Sequence, residues 1–364
     1  MTNHTGSSDL HRTAQGRAAS SATRVLIAED SATIRHHLVR VIEETPGMQV
    51  VGQARDGQEA LRLVAELHPD VVSMDINMPR LDGLAATRHI MAQTPTPVVV
   101  VSGLVEQDIE LSFQALEAGA LAVVEKPPDR SRPDFPEKQR QLVRTLVAMA
   151  GVSVVRRGYQ NSDSVQVARP PAPSEPPELI VIGASAGGPS ALSKLLGGLP
   201  ADLPVPVLIV QHIAQEFVPG LARWLDKSSP LGVRVAVDGQ PLQPGMALLA
   251  PGSAHLWVQR RGSGLVARLD GAQGSHRYQP SVNVLFESAA RACGARAVGL
   301  VLTGMGDDGA TGLLAMRQAK ARTLAQDKAS AIVYGMPGAA IAVGAVEQVL
   351  SLVELPPALI RLTQ

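Results

Sequence analysis

The chain has 364 residues, more than one ordinary core accommodates, and its length predicts two domains of about 100–200 residues each. Lysine plus arginine and aspartate plus glutamate both total 33, so the zero net charge argues against a broad surface for nucleic acid. No apolar run approaches the ~20 residues that span a bilayer, and the single cysteine, Cys293, excludes an intrachain disulfide framework. We therefore expect a cytoplasmic protein without membrane insertion.

The first part of the chain has the pattern of an α/β domain. Residues 1–23 lack the apolar segment of a secretory signal and are predicted to form a disordered tail. After them, short β-rich runs alternate with amphipathic helical segments such as 34–43 and 57–67. The predicted strands are 25–28, 50–54, 71–74, 98–101 and 122–124. This alternation predicts a parallel, doubly wound sheet with its site at the carboxyl ends of the strands.

The composition changes after Pro127, where a helix is predicted over 138–150 and a Pro-rich, extended linker over 161–177. The α/β pattern then resumes. Further strands are predicted at 179–182, 205–210 and 299–303, and helices from residue 188 and at 311–319. The middle of this part, near 233–269, is less regular. We predict a tail (1–23), a first domain (24–142), a linker (143–177) and a second α/β domain (178–358).

Charged and hydroxyl side chains follow four strands of the first domain. Glu29 and Asp30 follow the first strand and Asp75 the third, while Ser102 ends the fourth and Lys126 the fifth. Clustered carboxylates repel one another unless a hard cation such as Mg²⁺ neutralises them, and a partly neutralised carboxylate can attack a phosphoryl group. A hydroxyl and an ammonium would bind the transferred oxygens. Any one acid could be a turn or capping residue, but together they favour a phosphoacceptor site.

Four motifs of residues 24–128 closely resemble the two-component receiver family: VLIAEDS, DVVSMDINMPRLDG, VVVVSG and VEKP. The resemblance implies a flavodoxin-like fold with a five-stranded parallel sheet and a histidine kinase as phosphate donor. It implies that Asp75 accepts phosphate, that Ser102 is the switch hydroxyl and that Lys126 contacts phosphate. The Mg²⁺ ligands that it implies are Glu29, Asp30, Asp75 and the backbone carbonyl of Asn77. Val123 departs from the pattern, because it stands where an aromatic switch residue is usual.

The second domain opens with a Gly-rich turn, Gly-Ala-Ser-Ala-Gly-Gly, between a strand and a helix. Small neighbours would expose Ser185 at the helix N-terminus, where backbone N–H groups can stabilise an oxyanion. The pattern fits a G-x-S-x-G nucleophile elbow, but a nucleotide phosphate loop or a purely structural turn would look the same. The next strand ends in His212 rather than in a ribose-binding acid, which favours a catalytic base near Ser185 over a nucleotide site.

A third strand of this domain leads into the turn Leu-Thr-Gly-Met-Gly-Asp-Asp-Gly. An acid there could orient an imidazole and stabilise its protonated form, which would complete an acyl-transfer triad. The acids could also bind a metal or cap the next helix. Spacing alone does not choose between Asp307 and Asp308.

Residues 178–353 resemble the catalytic domain of the chemotaxis protein-glutamate methylesterases, the CheB family. The motifs are IGASAGGPSAL, IVQHI, LAPG, PSVNVLF, VLTGMGDDGATGLLAM and YGMPGAA. The resemblance implies a doubly wound α/β domain with Ser185 as nucleophile, His212 as base and Asp308 as orienting acid. It makes the backbone amides near Ala186 and Met305 candidate oxyanion donors.

Three positions near the implied substrate groove depart from the family pattern. Ala214 stands in a segment that lacks the prolines usual after the histidine, Asn283 replaces an aspartate, and Gln279 stands where a basic residue is frequent. These departures bear on the choice of substrate more than on the catalytic groups.

The resemblance implies a phosphorylation-activated hydrolase that removes methyl groups from glutamate methyl esters on the cytoplasmic helices of methyl-accepting receptors. The same groups would deamidate glutamine, and a histidine kinase of the CheA type would supply the phosphate. A non-enzymatic, phosphorylation-dependent adaptor is a second reading, which the intact set of Ser185, His212 and Asp308 disfavours. A transcription factor is a third, disfavoured because the second domain is long, not basic and without a helix-turn-helix pattern.

Overall fold

The computed structural model describes residues 22–103, 106–152, 176–271 and 277–364, with the side chains of 106–110 outside that description. The predicted tail up to residue 21 and most of the predicted linker lie outside the described residues. Among the helices that are described, not one combines the length and the apolarity needed to cross a bilayer.

The first domain contains a wholly parallel sheet with the strand order β2-β1-β3-β4-β5. Its strands in the described residues are β1 (Thr23–Ala28), β2 (Met48–Ala54), β3 (Val71–Met74), β4 (Val98–Ser102) and β5 (Ala122–Glu125). The helices between and after them are α1 (Ala32–Glu43), α2 (Gly57–Leu67), α3 (Gly83–Gln93), α4 (Glu106–Glu117) and α5 (Phe135–Ala150). The predicted five-stranded parallel sheet is confirmed.

Local capping explains where three of these helices begin. The side chains of Ser31, Asp56 and Asp82 each accept a hydrogen bond from the backbone N–H three residues later, which satisfies a donor that the helix leaves unpaired. At Gly83 a side chain is excluded, because a Cβ there would lie 1.9 Å from the carbonyl oxygen of Asp75. The loop after β3 is thus folded tightly beside the carboxyl end of the sheet.

Helix α5 continues beyond residue 142, the predicted end of the first domain. Its residues Leu142, Leu146 and Met149 are buried against the apolar side chains of the first-domain sheet. Because these residues complete that core, we place the whole of α5 with the first domain.

The second domain is built on a seven-stranded sheet with the order β14-β13-β12-β6-β7-β9-β8, in which every pair is parallel. The described strands are β6 (Leu179–Ala184), β7 (Val207–Gln211), β8 (Gly232–Val235), β9 (Met246–Leu249), β10 (Ala254–Arg261), β11 (Gly264–Gly271), β12 (Ala297–Val301), β13 (Arg322–Gln326) and β14 (Gln348–Leu350). The described helices are α6 (Gly188–Gly197), α7 (Val218–Ser228), α8 (Val282–Cys293), α9 (Ala310–Gln318), α10 (Gly335–Ala342) and α11 (Leu355–Thr363).

Strands β10 and β11 pair as an antiparallel hairpin outside the main sheet, so the irregular middle of the sequence is two sheet strands followed by this hairpin. Alternate residues of β6 enter two different apolar clusters, as expected for a sheet that is covered on both faces. The chain leaves β6 toward β7 on one side and later returns to β12 on the other. The carboxyl ends of these three strands therefore meet at the point where the direction of winding reverses, the usual position of a site in such sheets.

The two domains pack directly on each other. Phe113 of α4 stacks on Trp224 of α7, with ring centroids 5.5 Å apart. Trp224 donates its indole N–H to Glu117 Oε1 at 3.1 Å, and Lys138 Nζ of α5 lies 3.4 Å from Glu216 Oε2 in the second domain. Apolar side chains of the two domains form one continuous buried cluster at this interface.

Candidate active site and phosphoacceptor site

Strand register brings Ser185 and His212 together. Ala184 and Gln211, the last residues of β6 and β7, pair with each other. The predicted catalytic residues Ser185 and His212 follow them directly. The backbone N–H of His212 donates to the carbonyl of Ala184 at 3.0 Å, and that of Ser185 donates to the carbonyl of Thr303 at 3.0 Å. Both side chains line the same cavity.

The turn that carries Ser185 depends on glycine. Gly187 has φ +75°, in the left-handed region, and a Cβ on it would lie 2.8 Å from the Cβ of Ile332. Helix α6 begins at the next residue, whose backbone N–H donates to the carbonyl of Ser185 at 2.8 Å. Ser185 therefore lies immediately before a helix N-terminus, as the sequence predicts for a nucleophile elbow.

The amide of Gln211 joins the two loops. Its Nε2 donates to the carbonyl oxygens of both Ser185, at 2.8 Å, and His212, at 3.0 Å. The side chain is buried, so these hydrogen bonds are shielded from water. Gln211 thereby fixes the backbone of the predicted nucleophile relative to that of the predicted base.

His212 Nε2 lies 2.9 Å from Oδ2 of Asp308, which is almost fully buried. The carboxylate also accepts backbone N–H groups from Val282, at 2.7 Å, and from Asn283, at 3.0 Å, and the hydroxyl of Ser281 at 3.0 Å. Burial raises the pKa of Asp308, but the hydrogen bond and charge of His212 and the two backbone N–H groups outweigh it and hold the pKa below its ordinary value. An ionised Asp308 only accepts hydrogen bonds, so the proton lies on Nε2 and leaves Nδ1 as the basic nitrogen.

The neighbouring acid has different surroundings. Asp307 is exposed, and its Oδ1 accepts the hydroxyl of Tyr278 at 3.3 Å and lies 3.8 Å from a guanidinium nitrogen of Arg277. The geometry therefore brings Asp308, and not Asp307, to the imidazole. Tyr278, whose ring stacks on His212, is absent from the predicted site residues, because a single aromatic residue in a polar loop carries no periodic signal.

The two candidate oxyanion donors lie beside Ser185. Ala186 and Met305 line the same cavity as Ser185. The carbonyl of Ala186 accepts the hydroxyl of Thr303 at 2.9 Å, which ties the loop after β6 to the loop after β12. Both backbone amides thus belong to segments that adjoin Ser185.

The positions that depart from the family pattern have visible structural contacts. Asn283 Oδ1 accepts the backbone N–H of Gly309, at 3.0 Å, and of Gly312, at 2.8 Å, so it caps the start of α9. Gln279 Nε2 donates to the carbonyl of Ser253 at 2.7 Å. An aspartate could accept the same two N–H groups as Asn283, so this replacement preserves the local structure.

The charged residues of the first domain meet at the carboxyl end of its sheet. Lys126 Nζ lies 2.9 Å from both Glu29 Oε2 and Asp75 Oδ1. Ser102 is buried and lies next to Lys126, whose backbone N–H donates to the Ser102 carbonyl at 2.9 Å. The predicted acceptor Asp75 and the ammonium of Lys126 are therefore in contact, and the residue that carries the predicted switch hydroxyl adjoins Lys126 through the backbone.

The carboxylates of this site are placed as a cation would require. Oxygens of Glu29, Asp30 and Asp75 lie within 4.8 Å of one another. Asn77, the fourth predicted ligand, is an exposed residue of the loop after β3. Burial, followed by the charge of Asp75, raises the pKa of Glu29, and burial raises the pKa of Asp75 despite Lys126. A set of hard oxygen donors with uncompensated charge fits Mg²⁺, which would relieve this repulsion.

The first domain packs next to the loops that carry Ser185 and His212. A cavity of about 100 Å³ separates β5 and α5 from Ser185 and His212. Val123 lines it, where the family pattern has an aromatic residue. In this arrangement residues of β5 and α5 form one wall of the cavity that Ser185 and His212 line.

Comparisons with known proteins identify the families to which the two domains are similar. The response regulator receiver domain family matches residues 25–132, and the CheB methylesterase family matches residues 180–359. The protein-glutamate methylesterase/protein-glutamine glutaminase 4 of Myxococcus xanthus is 48% identical over 342 residues, which cover 91% of this chain and 94% of that protein. The corresponding enzyme 1 of Syntrophus aciditrophicus is 42% identical over 348 residues, covering 93% and 98%.

A solved structure is also similar. The crystal structure of the Thermotoga maritima CheB methylesterase catalytic domain matches 51% of this chain and 98% of that chain, with 33% identity and a TM-score of 0.50. Fold and site together define a serine hydrolase joined to a phosphoacceptor receiver domain. The chain belongs to the CheB family of protein-glutamate methylesterases.

Proposed function

We propose that the chain hydrolyses the methyl esters of glutamate side chains on methyl-accepting receptors, deamidates glutamines on the same receptors, and does so under the control of phosphorylation at Asp75. The observation that carries the proposal is the convergence of Ser185, His212 and the buried Asp308 at one end of one sheet. The names of the Myxococcus xanthus and Syntrophus aciditrophicus relatives support the choice of substrate.

The reaction follows from the roles of the three side chains. His212 Nδ1 accepts the proton of the Ser185 hydroxyl as the oxygen attacks the ester carbonyl. The imidazolium, stabilised by Asp308, then returns the proton to the leaving oxygen, and methanol departs. Water, activated by the same imidazole, cleaves the acyl-enzyme and restores Ser185. A glutamine side chain would pass through the same acyl-enzyme, with ammonia as the leaving group.

Backbone amides would stabilise the negative charge that develops on the carbonyl oxygen. The N–H groups of Ala186 and Met305 are the candidates, since both residues line the cavity beside Ser185. Donors fixed by the backbone cost no reorganisation as the charge forms, which is why such pairs contribute strongly to acyl transfer.

The receiver would regulate access to this site. β5 and α5 of the receiver line the same cavity as Ser185, where they would obstruct the approach of a receptor helix. Phosphorylation of Asp75 would change the contacts of Ser102 and Lys126, and would favour a state in which the domains separate. Glu29, Asp30, Asp75 and the backbone carbonyl of Asn77 would hold Mg²⁺, which neutralises charge at the acceptor when bound.

The proposed setting is the cytoplasm. A histidine kinase of the CheA type would supply the phosphoryl group, and the cytoplasmic helices of methyl-accepting receptors would be the substrate. The proposed division of the chain is a tail (1–23), the receiver, the Pro-rich linker and the catalytic domain (178–358), with α5 kept in the receiver.

Methanol release from a methylated receptor tests the catalytic assignment. We expect the Ser185→Ala variant to release no methanol above background, because the acyl-enzyme cannot form. The matched control is Ser190→Ala, which removes a hydroxyl from the adjoining helix α6 and should retain the rate. Undiminished release by Ser185→Ala would contradict the proposal.

A further inference from the structure

The ring of Tyr278 lies flat against the imidazole of His212. The two ring centroids are 5.2 Å apart and the planes differ by 8°. Asp308 holds the imidazole at one atom only, Nε2. The imidazole is attached to the chain through Cβ and hydrogen-bonded at Nε2, so it can still tilt about the line through these two atoms. That tilt would move Nδ1 within the cavity that His212 shares with Ser185.

Tyr278 is itself fixed from the turn that carries Asp308. Its hydroxyl donates to Asp307 Oδ1 at 3.3 Å, and a Cβ on Gly306 would lie 2.7 Å from the hydroxyl oxygen. The guanidinium of Arg277 lies 5.4 Å from the centroid of the Tyr278 ring, which adds a cation–π contact. The ring is therefore restrained at its edge and on a face before any substrate binds.

We propose that Tyr278 is a positioning residue of the hydrolase, which holds the plane of the His212 imidazole and so fixes where Nδ1 lies in the cavity shared with Ser185. This inference rests on the proposed function for the identity of the base. The stacked ring supplies the second restraint that the hydrogen bond to Asp308 does not. Displacement of a catalytic group by about 1 Å can lower the rate as much as 100-fold, so loss of the restraint should have a measurable effect on the reaction rate.

A contact with substrate is the competing role. Tyr278 also lines an open groove, on the outer side of Asp308, together with Arg277 and Thr311. If the ring only binds the receptor helix, its loss should raise KM and leave the chemistry unchanged. If it positions His212, its loss should lower the rate toward any reagent that needs an activated Ser185, including one too small to reach the groove.

The test compares Tyr278→Phe with Tyr278→Leu in the full chain, treated with acetyl phosphate and Mg²⁺. Two rates are measured: covalent labelling of Ser185 by a small fluorophosphonate, and methanol release from methylated receptor. We expect Tyr278→Phe to stay within about 3-fold of the wild type, because the ring remains. We expect Tyr278→Leu to lose about 10- to 100-fold in both labelling rate and kcat, with KM little changed.

Thermal unfolding of the two variants identifies any loss of folded protein, and the Phe variant serves as the control for the lost hydroxyl. Labelling of Tyr278→Leu at the wild-type rate would overturn the proposal, as would equal losses in the Phe and Leu variants. A wild type that is labelled but releases no methanol would contradict the proposed substrate, and the labelling comparison would still decide the role of Tyr278.

Discussion

The indole of Trp224 stacks on the phenyl ring of Phe113 across the boundary between the receiver and the catalytic domain, with 20° between the ring planes. Both side chains are buried, and the indole N–H is satisfied by Glu117. Phe113 belongs to α4, the helix that follows the predicted switch residue Ser102. The contact therefore links the element next to the phosphoacceptor site to the helix α7 that follows His212.

Removing this stack should activate the enzyme without phosphorylation. Aromatic pairs contribute about 0.5–1.5 kcal/mol, so Trp224→Ala should shift the closed-to-open equilibrium and raise the basal rate of methanol release about 2- to 10-fold. The control is Trp257→Ala in the β10–β11 hairpin, which should leave the basal rate unchanged. A basal rate that stays at the wild-type value in a folded Trp224→Ala variant would argue that the interface does not restrain activity.

The two adjacent acids of the Gly-rich turn should differ sharply when neutralised. Asp308→Asn cannot stabilise the imidazolium and favours the wrong tautomer of His212, so we expect kcat to fall by about 10³- to 10⁴-fold. Asp307→Asn keeps a partner for the hydroxyl of Tyr278, so its kcat should fall by less than about 5-fold. The measurement is kcat for methanol release, and similar losses in both variants would contradict the assignment of Asp308.

The amide of Gln211 should matter for turnover more than for binding. Gln211→Leu removes the donor shared by the carbonyls of Ser185 and His212, and each lost hydrogen bond costs about 1 kcal/mol. We expect kcat to fall by about 10- to 30-fold with KM within 2-fold of the wild type. Gln318→Leu, at the exposed end of α9, is the control. A change in KM alone would place Gln211 in substrate binding instead.

The acidic cluster of the receiver should bind Mg²⁺. At a concentration tenfold above its Kd, the ion should stabilise the folded protein by about 1.4 kcal/mol, seen as a higher midpoint of thermal unfolding. Asp30→Asn should lose most of this gain because it removes one of the three clustered carboxylates. Asp202→Asn, an exposed acid of the catalytic domain, should keep it. Equal gains in Asp30→Asn and the wild type would place the ion elsewhere.

The sequence predicts the five strands of the first sheet and, in the second, the three strands β6, β7 and β12 that lie next to the site. Strand β6 is a continuous apolar run, and β3 is apolar except for Ser73. Their buried side chains explain why both are easily identified. Strands β13 and β14 are harder to predict, since one contains arginine, threonine and glutamine and the other has three residues. Their strand conformation comes from pairing with β12 and with each other rather than from local preference.

The proximity of Ser185 and His212 could be predicted from the sequence. Ser185 and His212 follow strands that the sequence identifies, and parallel pairing places their ends together. Spacing alone does not choose between Asp307 and Asp308, and only the family resemblance implies Asp308. Its contacts with the backbone N–H groups of Val282 and Asn283, about 25 residues away, appear only in the fold. The stack of Tyr278 on His212 and that of Phe113 on Trp224 join distant segments, so no local pattern indicates either one.

We propose that an esterase built on Ser185 is held closed by the receiver and released by phosphorylation of Asp75. The most direct measurement is the rate of methanol release from methylated receptor, with and without acetyl phosphate and Mg²⁺. We expect the rate of the wild type to rise on addition of acetyl phosphate, that of Asp75→Ala to stay at the basal value, and that of Ser185→Ala to be zero in both conditions. A wild-type rate that does not respond to acetyl phosphate, or a response that persists in Asp75→Ala, would contradict the account.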